Sequence, residues 1–399
     1  MRTAIIGGGA AGFFLAVNLK EMMPGMQVVV FERTHHLLAK VEVSGGGRCN
    51  CTNSFEGIND LSRVCPRGHR LLKRLFHVFN HHDTCQWFTS RGVPLVTQAD
   101  HCVFPQAQDS HAIIDCFLGE ARRQGVEIRT GCPVNSLGQL SDFDFVAVTT
   151  GGATKATSLG WLASLGHDIE QPVPSLFSLS VGDKTLKSLM GIVVEDAQVM
   201  IPKTNIRTQG PLLVTHWGLS GPAILRLSSY AARLLHDVGY KTLISVNWAG
   251  QSIDDIASAI TTTASLHPQK RITALAPCRL TQRLWAYLAE KTLGAKAGAR
   301  WCDIGKKDFN RLANAVANDL IVTTGRAPFH DEFVTCGGVS LKSVNPSTLE
   351  SRVRPWLYFA GEVLDIDGVT GGFNFQAAWT TAFVVARSIA QAANNDSQS

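Results

Sequence analysis

The first 32 residues constrain the fold more than any other stretch of this chain. An apolar run, Ala4 to Ile6, meets Gly7-Gly8-Gly9-Ala10-Ala11-Gly12, and Phe13 to Leu19 continues with the composition of a buried helix. In such a strand–turn–helix unit Gly7 permits the tight turn, Gly9 lets backbone approach a pyrophosphate, and Gly12 lets the helix lie close on the sheet. The helix N-terminus then offers unpaired N–H groups and a partial positive charge to phosphate. A second strand, Val28 to Phe31, ends at Glu32, 20 residues after Gly12, where a carboxylate accepts hydrogen bonds from a ribose. Gly-rich turns alone are common. All four features in line describe a dinucleotide site.

With 399 residues the chain exceeds one simple domain, and two or three are expected. Hydrophobic residues make up 45% and charged ones 17%, so a sizeable core forms and disorder is excluded. The net charge of +5 is small for this length and no basic, aromatic-interleaved patch stands out, which argues against a nucleic-acid partner. The first strand is expected to start by residue 3 or 4, so no signal peptide is expected, and no apolar run is long enough to span a bilayer. The ten cysteines are scattered without a C-x-x-C pair and read as reduced, mostly buried thiols, so the cytoplasm is the expected compartment. His77, His81 and His82 fall within a helical pattern over 68–92. Without a third ligand they predict a solvated helix face and no metal.

A second loop selects among dinucleotides. In Ser44-Gly45-Gly46-Gly47-Arg48-Cys49-Asn50-Cys51-Thr52-Asn53, three successive glycines make a poor helix or strand but a good backbone nest for an anion or a flat ring. An NAD-only Rossmann domain has no need of it. The stretch resembles the S-G-G-G-R-C-N-x-T-N signature of bacterial FAD-dependent flavoproteins of the aminoacetone oxidase family, a group of NAD(P)/FAD-dependent oxidoreductases. Further along, Thr149-Thr150-Gly151-Gly152 resembles the family's A-T-G-G turn, with Thr149 for Ala, and His101 to Pro105 resembles its G-R-x-F-P. Near the C-terminus, Tyr358 to Gln376 is similar to Y-F-A-G-E-V-L-D-x-D-G-x-T-G-G-Y-N-x-Q, with Phe373 for Tyr.

The resemblance implies an α/β fold: a two-part Rossmann-like FAD-binding domain interrupted by a β-barrel-like insert that carries a small helical subdomain. The expected boundaries are 1–172 for the first part, 173–250 for the β-rich insert, 251–317 for the helical subdomain, 318–343 for the insert's return, and 344–399 for the second part. A β-meander usual in the family is expected to be trimmed, since only Arg129 to Asp142 joins the two strands around it.

It also implies FAD contacts. Gly7, Gly9, Ala10, Ala11 and Gly12 meet the pyrophosphate, and Glu32 and Arg33 the adenosine end. Lys40, Ser44, Gly45, Gly46, Gly47, Arg48 and Asn50 come from the second loop, and Thr150, Gly151 and Gly152 from the middle strand. Gly361 and Glu362 approach the ribityl or pyrophosphate region, and Gly371, Gly372, Phe373 and Asn374 the isoalloxazine. The last helix points its N-terminus at the N1–C2=O edge of the ring, where reduction places negative charge.

No second G-x-G-x-x-G follows, so NAD(P)H docks transiently over the flavin or the substrate itself is the reductant. The expected reaction moves a hydride between flavin N5 and a small organic substrate of the amine, ketone or enone class. His216, in a string similar to the family's F-T-H-F-G-I-S-G-P-A-I-L, is the candidate acid or base, and a histidine packed in the insert reads equally well. Cys336 reads as structural, and Asp365 and Asp367 as solvated turn acids. Two other readings stay open. One is a flavin-holding protein that binds RNA or a partner, like tRNA-modifying flavoproteins. The other is an NAD-dependent dehydrogenase, which leaves residues 44–53 and 361–374 without a role. Oligomeric state is left open.

Overall fold

The computed structural model describes residues 1–153, 156–327 and 334–396. The chain forms two units, Met1–Val173 with Val334–Ser399, and Pro174–Phe333.

The first unit runs β1 (Arg2–Ile6), α1 (Ala10–Met22), β2 (Gln27–Phe31), α2 (Ala39–Gly47), β3 (Thr52–Asn53), α3 (His69–Leu75) and α4 (His81–Thr89). It continues with β4 (Leu95–Thr97), β5 (Cys102–Pro105), α5 (His111–Arg123), β6 (Glu127–Arg129), β7 (Phe145–Val148), α6 (Gly160–Ser164) and β8 (Ile169–Ser175), whose last two residues begin the second unit. The second unit carries β9 (Leu179–Val181), α7 (Lys184–Ser188), β10 (Val193–Met200), β11 (Arg207–Val214), β12 (Gly218–Ser220), α8 (Pro222–Tyr230) and α9 (Ala232–Asp237). There follow β13 (Leu243–Asn247), α10 (Ile253–Leu266), α11 (Gln282–Leu293), α12 (Lys306–Ala317) and β14 (Asp319–Arg326). The chain returns to the first unit through β15 (Val334–Val339), β16 (Leu357–Phe359) and α13 (Phe373–Asp396).

The first unit is built on a five-stranded sheet in the order β16-β7-β1-β2-β6. Every pairing in it is parallel. Parallel strands are covered on both faces, which is why β1, β2 and β7 are near-continuous apolar runs. The helix α1 is buried from Ala11 to Leu19. Against it Trp379 of α13 sits among Phe14, Phe88, Phe117 and Phe375, with ring centroids 5.2 to 5.8 Å away. The polar groups inside this cluster are paired: Trp379 Nε1 donates to Cys51 O at 2.8 Å, and Trp87 Nε1 to Asn18 Oδ1 at 3.1 Å.

Two local expectations change. The helix predicted over 68–92 is a pair, α3 and α4. Asn80 breaks it with a capping box, accepting from His82 and Asp83 N–H while Asp83 accepts from Asn80 N–H. The Gly-rich loop begins as the end of α2, but Ser44 is extended and Gly45 and Gly46 are left-handed, so regular helix stops before them.

The second unit is a closed barrel, β10-β11-β12-β9-β14-β13. Alternation along β14 shows the period of two that a barrel wall requires: Asp319, Ile321 and Thr323 are buried, and Leu320, Val322 and Thr324 exposed. The stretch 253–317 contains α10, α11 and α12, whose core stacks Trp285 on Trp301 at 6.0 Å. The residues Phe333 to Val339 read as a strand in the sequence; Phe333 lies outside the described residues and Val334–Val339 form β15. No described helix is long and apolar enough to cross a membrane.

Candidate functional site

The β1–α1 turn is packed to the limit of its backbone. Thr149, just after β7, donates from Oγ1 to Ile6 O and Gly7 O at 3.0 Å each. A Cβ at Gly12 would be driven into Gly7 O and would stand 2.8 Å from Thr149 Oγ1, so only glycine lets α1 start flush on the sheet. At Gly9, the N-cap of α1, a Cβ would meet nothing within 4 Å, and no side chain caps the helix. With no side-chain cap, the first N–H groups of α1 are left for a ligand to accept from. Glu32 is aimed at this loop: its Oε2 accepts from Gly8 N–H at 2.9 Å and its Oε1 from Thr34 N–H at 2.9 Å. Arg33 and Thr150 are exposed at the ends of their strands.

The second loop supplies another open cradle. Gly45, Gly46 and Gly47 have φ of +57°, +69° and +81°, and nothing lies within 4 Å of a Cβ at Gly46 or Gly47. Arg48 lies across Phe104, 4.3 Å from the ring centre, and donates from Nε to Gly45 O at 3.0 Å. Ser44 spends its hydroxyl on Val41 O at 2.8 Å, inside its own helix. Asn50 joins this loop to the C-terminal turn, donating to Thr52 O at 3.0 Å and accepting from Gly372 N–H at 3.1 Å.

The C-terminal strand closes the arrangement. Gly361 packs on α1, since a Cβ there would stand 2.9 Å from Ala11 Cβ. Glu362 accepts from Lys40 Nζ at 2.7 Å and from Thr335 N–H at 2.8 Å, and a Cβ at Gly152 would stand 2.7 Å from its Oε1. Ala11, Lys40, Gly152, Gly361 and Glu362, scattered over the sequence, thus meet in one place. Asn374 turns inward: its amide accepts from Gly368 N–H at 2.8 Å and donates to Gly368 O at 2.9 Å, closing the 368–374 turn. Phe373 is buried beside Gly371 and 5.3 Å from the Phe55 ring.

Several partners were not singled out as site residues from the sequence. Asp367, expected to be solvated, is wholly buried and ion-paired with Arg67; the two are 300 positions apart, so no spacing joins them. Asn53 Nδ2 donates to Gly371 O at 2.9 Å. Gln376, fully buried, accepts from Thr52 Oγ1 at 2.6 Å and Thr84 Oγ1 at 2.9 Å. Asn53 and Gln376 fall inside the two signature stretches, so the signatures could have pointed to them. Thr84 and Arg67 lie outside.

Glu362 is 17% exposed and holds two donors, whereas Lys40 is 54% exposed. E362A is expected to weaken FAD binding about tenfold or more, as loss of a part-buried charged hydrogen-bond centre does. K40M is expected to cost about threefold or less, because solvent screens an exposed ammonium. Fluorescence titration of the apoprotein with FAD measures both; equal effects would overturn the ranking.

His77 and His82 are exposed, as expected of a solvated face, but His81 is half-buried. Its ring lies 5.0 Å from that of Phe55, tilted by 31°, and burial, then the neighbouring His82, push its pKa down to about 4. The unfolded chain binds a proton near pH 6.5 that the folded chain refuses, so stability is full above pH 6.5 and falls as pH drops toward about 4. The loss is on the order of 1–2 kcal/mol after allowance for solvent screening. Urea unfolding of H81F across this range should show a flatter pH slope than wild type.

His216 lies in the second unit, exposed in the turn between β11 and β12, with its ring 4.3 Å from that of Trp217. Cys336 is fully buried in β15, and none of the ten cysteines is in a disulfide. Among the described residues no His, Cys, Asp and Glu cluster could hold a metal.

A parallel sheet, a helix start with open N–H groups beside a carboxylate, a second glycine cradle and a returning Gly-Glu strand define a Rossmann-type nucleotide-binding flavoprotein. The open floors at Gly9, Gly46 and Gly47 are the places a Cβ would fill, and they fit a flat, diphosphate-bearing cofactor. The HI0933-like protein Rossmann domain model matches residues 1–388. The chain belongs to that family, and is an FAD-dependent oxidoreductase. It is similar to the 3-dehydro-bile acid delta(4,6)-reductase of Clostridium scindens, 26% identical over 98% of this chain and 99% of that one. It is also similar to the ribosomal RNA dihydrouridine synthase of Escherichia coli, 25% identical over 96% of this chain and 97% of that one. Among solved structures, the 3-ketosteroid delta1-dehydrogenase of Sterolibacterium denitrificans is 11% identical, with a TM-score of 0.47 over 98% of this chain and 99% of that one.

Proposed function

We propose that the protein reduces a carbon–carbon double bond conjugated to a carbonyl group, with NAD(P)H as the electron source. The observation that carries this reading is the pair of relatives matched over nearly their whole length. Their names describe saturation of a keto-conjugated bile acid and of uridine, whose ring double bond is likewise conjugated to a carbonyl. The chemistry the cofactor would supply when bound is hydride transfer from its reduced form to the β-carbon of such a substrate, with NAD(P)H as the source of the two electrons. The residues that would hold it are those of the two glycine cradles, Glu32, and the Gly361–Glu362 and Gly371–Gly372 turns. What is left to the protein is the oxyanion and the proton. As the double-bond pair moves onto the carbonyl oxygen, a donor must meet that oxygen and a proton must reach the α-carbon.

His216 is the residue we assign to that proton. It is exposed and its ring nitrogens make no hydrogen bond with a described residue, so both remain available to a substrate. The test is anaerobic: reduce the bound flavin with NADH or NADPH, mix with a conjugated enone, and follow return of the visible flavin band. Reoxidation by the enone and not by its saturated ketone is expected. Reduction by NAD(P)H with no reoxidation by any enone would sink the reading. H216Q is expected to slow the enone step about 10²-fold while leaving reduction by NAD(P)H unchanged. Equal enone rates would return His216 to the surface histidines.

A uridine in RNA is a second substrate reading, favoured by one local feature. The modest net charge hides a stretch, 61–82, with no acid and with Arg70, Lys73 and Arg74 exposed on α3. Binding of a ribosomal RNA fragment with a steep salt slope, lost in R70A/K73A, would support it over a free small molecule. The cytoplasm is our proposed compartment, supported by ten thiols outside disulfides.

A further inference from the structure

The turn that brings the C-terminal motif to the glycine cradles is clamped from a side that carries no cofactor motif. Arg67 stands in Cys65-Pro66-Arg67-Gly68, just before α3. Its Nε and Nη2 donate to the two carboxylate oxygens of Asp367, which is wholly buried, while the Arg67 side chain is 15% exposed. The same two residues face each other across an antiparallel backbone bridge. Beside them Val369 N–H donates to Val64 O at 2.8 Å, and Gly68 fits under Ile366, whose Cγ1 would stand 2.6 Å from a Cβ there. Beyond Asp367 the turn is held again, by Asn53 on Gly371 O and Asn50 on Gly372 N–H. Immediately after that, α13 starts at Phe373.

The chemistry of the pair suits register, not only cohesion. Burial opposes the Arg67 charge, and Asp367 more than offsets it, so the guanidinium stays protonated. The nearby Cys65 thiol is pushed up to about 12 by burial, with Asp367 adding to it, so it stays neutral beside the pair. A planar guanidinium gripping both carboxylate oxygens fixes direction as well as distance, which a lysine does not. A buried ion pair is a poor stabiliser compared with well-packed apolar side chains; its best-attested use is to specify one register.

We propose that Arg67 is a positioning residue: through Asp367 it sets the register of the Gly371–Gly372 turn and of the N-terminus of α13, and so the reduction potential of the bound flavin. A helix N-terminus favours negative charge placed near it, and reduced flavin carries more negative charge than oxidised flavin. Loss of register weakens that preference and makes the flavin harder to reduce. The inference rests on the FAD assignment and is independent of which substrate is reduced.

The test uses the full chain loaded with FAD, in wild type, R67K, R67M, D367N and the double variant R67M/D367L. R91M serves as comparison, since Arg91 is a mostly buried ion-pair partner of Glu21 elsewhere in the same unit. Melting temperature, FAD affinity and the midpoint potential against a reference dye are read for each. R67M and D367N are expected to shift the two-electron equilibrium at least tenfold toward oxidised flavin, about 30 mV more negative. R67K is expected to fall between. The double variant should regain melting temperature without regaining the potential, and R91M should lose melting temperature with the potential unmoved. An unmoved potential in folded R67M or D367N, or an equal shift in R91M, overturns the proposal. Where the single variants fail to fold, the folded double variant decides, and a wild-type potential in it overturns the proposal equally. A wild-type protein that takes up no FAD would instead overturn the cofactor assignment.

Discussion

Gly12→Val is expected to yield a colourless protein. The β carbon alone would be driven into Gly7 O, and Thr149 Oγ1, which bonds both Ile6 O and Gly7 O, blocks the other side. No rotamer relieves a clash made at Cβ, so α1 must lift from β1 and β7. Overpacking of this kind costs about 1–3 kcal/mol, and more when backbone is the obstacle. The lifted helix also moves its open N–H groups off the cradle, so cofactor binding falls with stability. The ratio of visible to ultraviolet absorbance after gel filtration in excess FAD reads the effect. Wild-type stoichiometry in G12V would show that the helix start is not where the cofactor sits.

The largest loss of stability is expected at Trp379. The side chain is wholly buried between α1, α4, α5 and its own helix, against Phe14, Phe88, Phe117 and Phe375. Its Nε1 also satisfies Cys51 O, which follows the second glycine loop. W379A leaves a large cavity and an unpaired buried carbonyl, a loss of about 3–5 kcal/mol. Urea unfolding measures it as a lower midpoint at unchanged slope. A loss below about 1 kcal/mol would mean that the aromatic cluster collapses to fill the gap. Because α13 begins at the Gly371–Gly372 turn, W379A is also expected to loosen FAD, whereas H81F changes the acid limb of stability alone.

Much of the fold was legible because its signals are local. The strand–glycine–helix pattern at residues 4–32 reports a steric demand within a dozen positions, and β1, α1 and β2 follow it. The barrel and the helices within 253–317 were expected from the resemblance to the flavoprotein family, and both are present. The break between α3 and α4 was missed because a capping asparagine inside a continuous apolar pattern is a weak mark until its partners, His82 and Asp83, are seen. The triplet β3-β5-β4 was not read from the sequence, since strands this short carry almost no periodicity.

Within the site, residue types were readable and their partners were not. Glu362 was marked by its Gly-Glu strand end, but that it joins Lys40 and the Thr335 N–H depends on how the chain returns. Asn374 was marked beside the glycines, and its amide proves to be spent on Gly368, within its own turn.

The amino-acid sequence by itself marked a strand–turn–helix unit for a dinucleotide, because glycines that exclude a Cβ and a carboxylate at a strand end act over short stretches of chain, and the resemblance of residues 44–53 and 358–376 narrowed the dinucleotide to FAD. Only the tertiary structure decided which polar groups are buried together. Asp367 reads as a solvent-facing turn acid until Arg67, 300 residues away, is folded against it, since the free energy of a buried charge depends on the partner that burial brings.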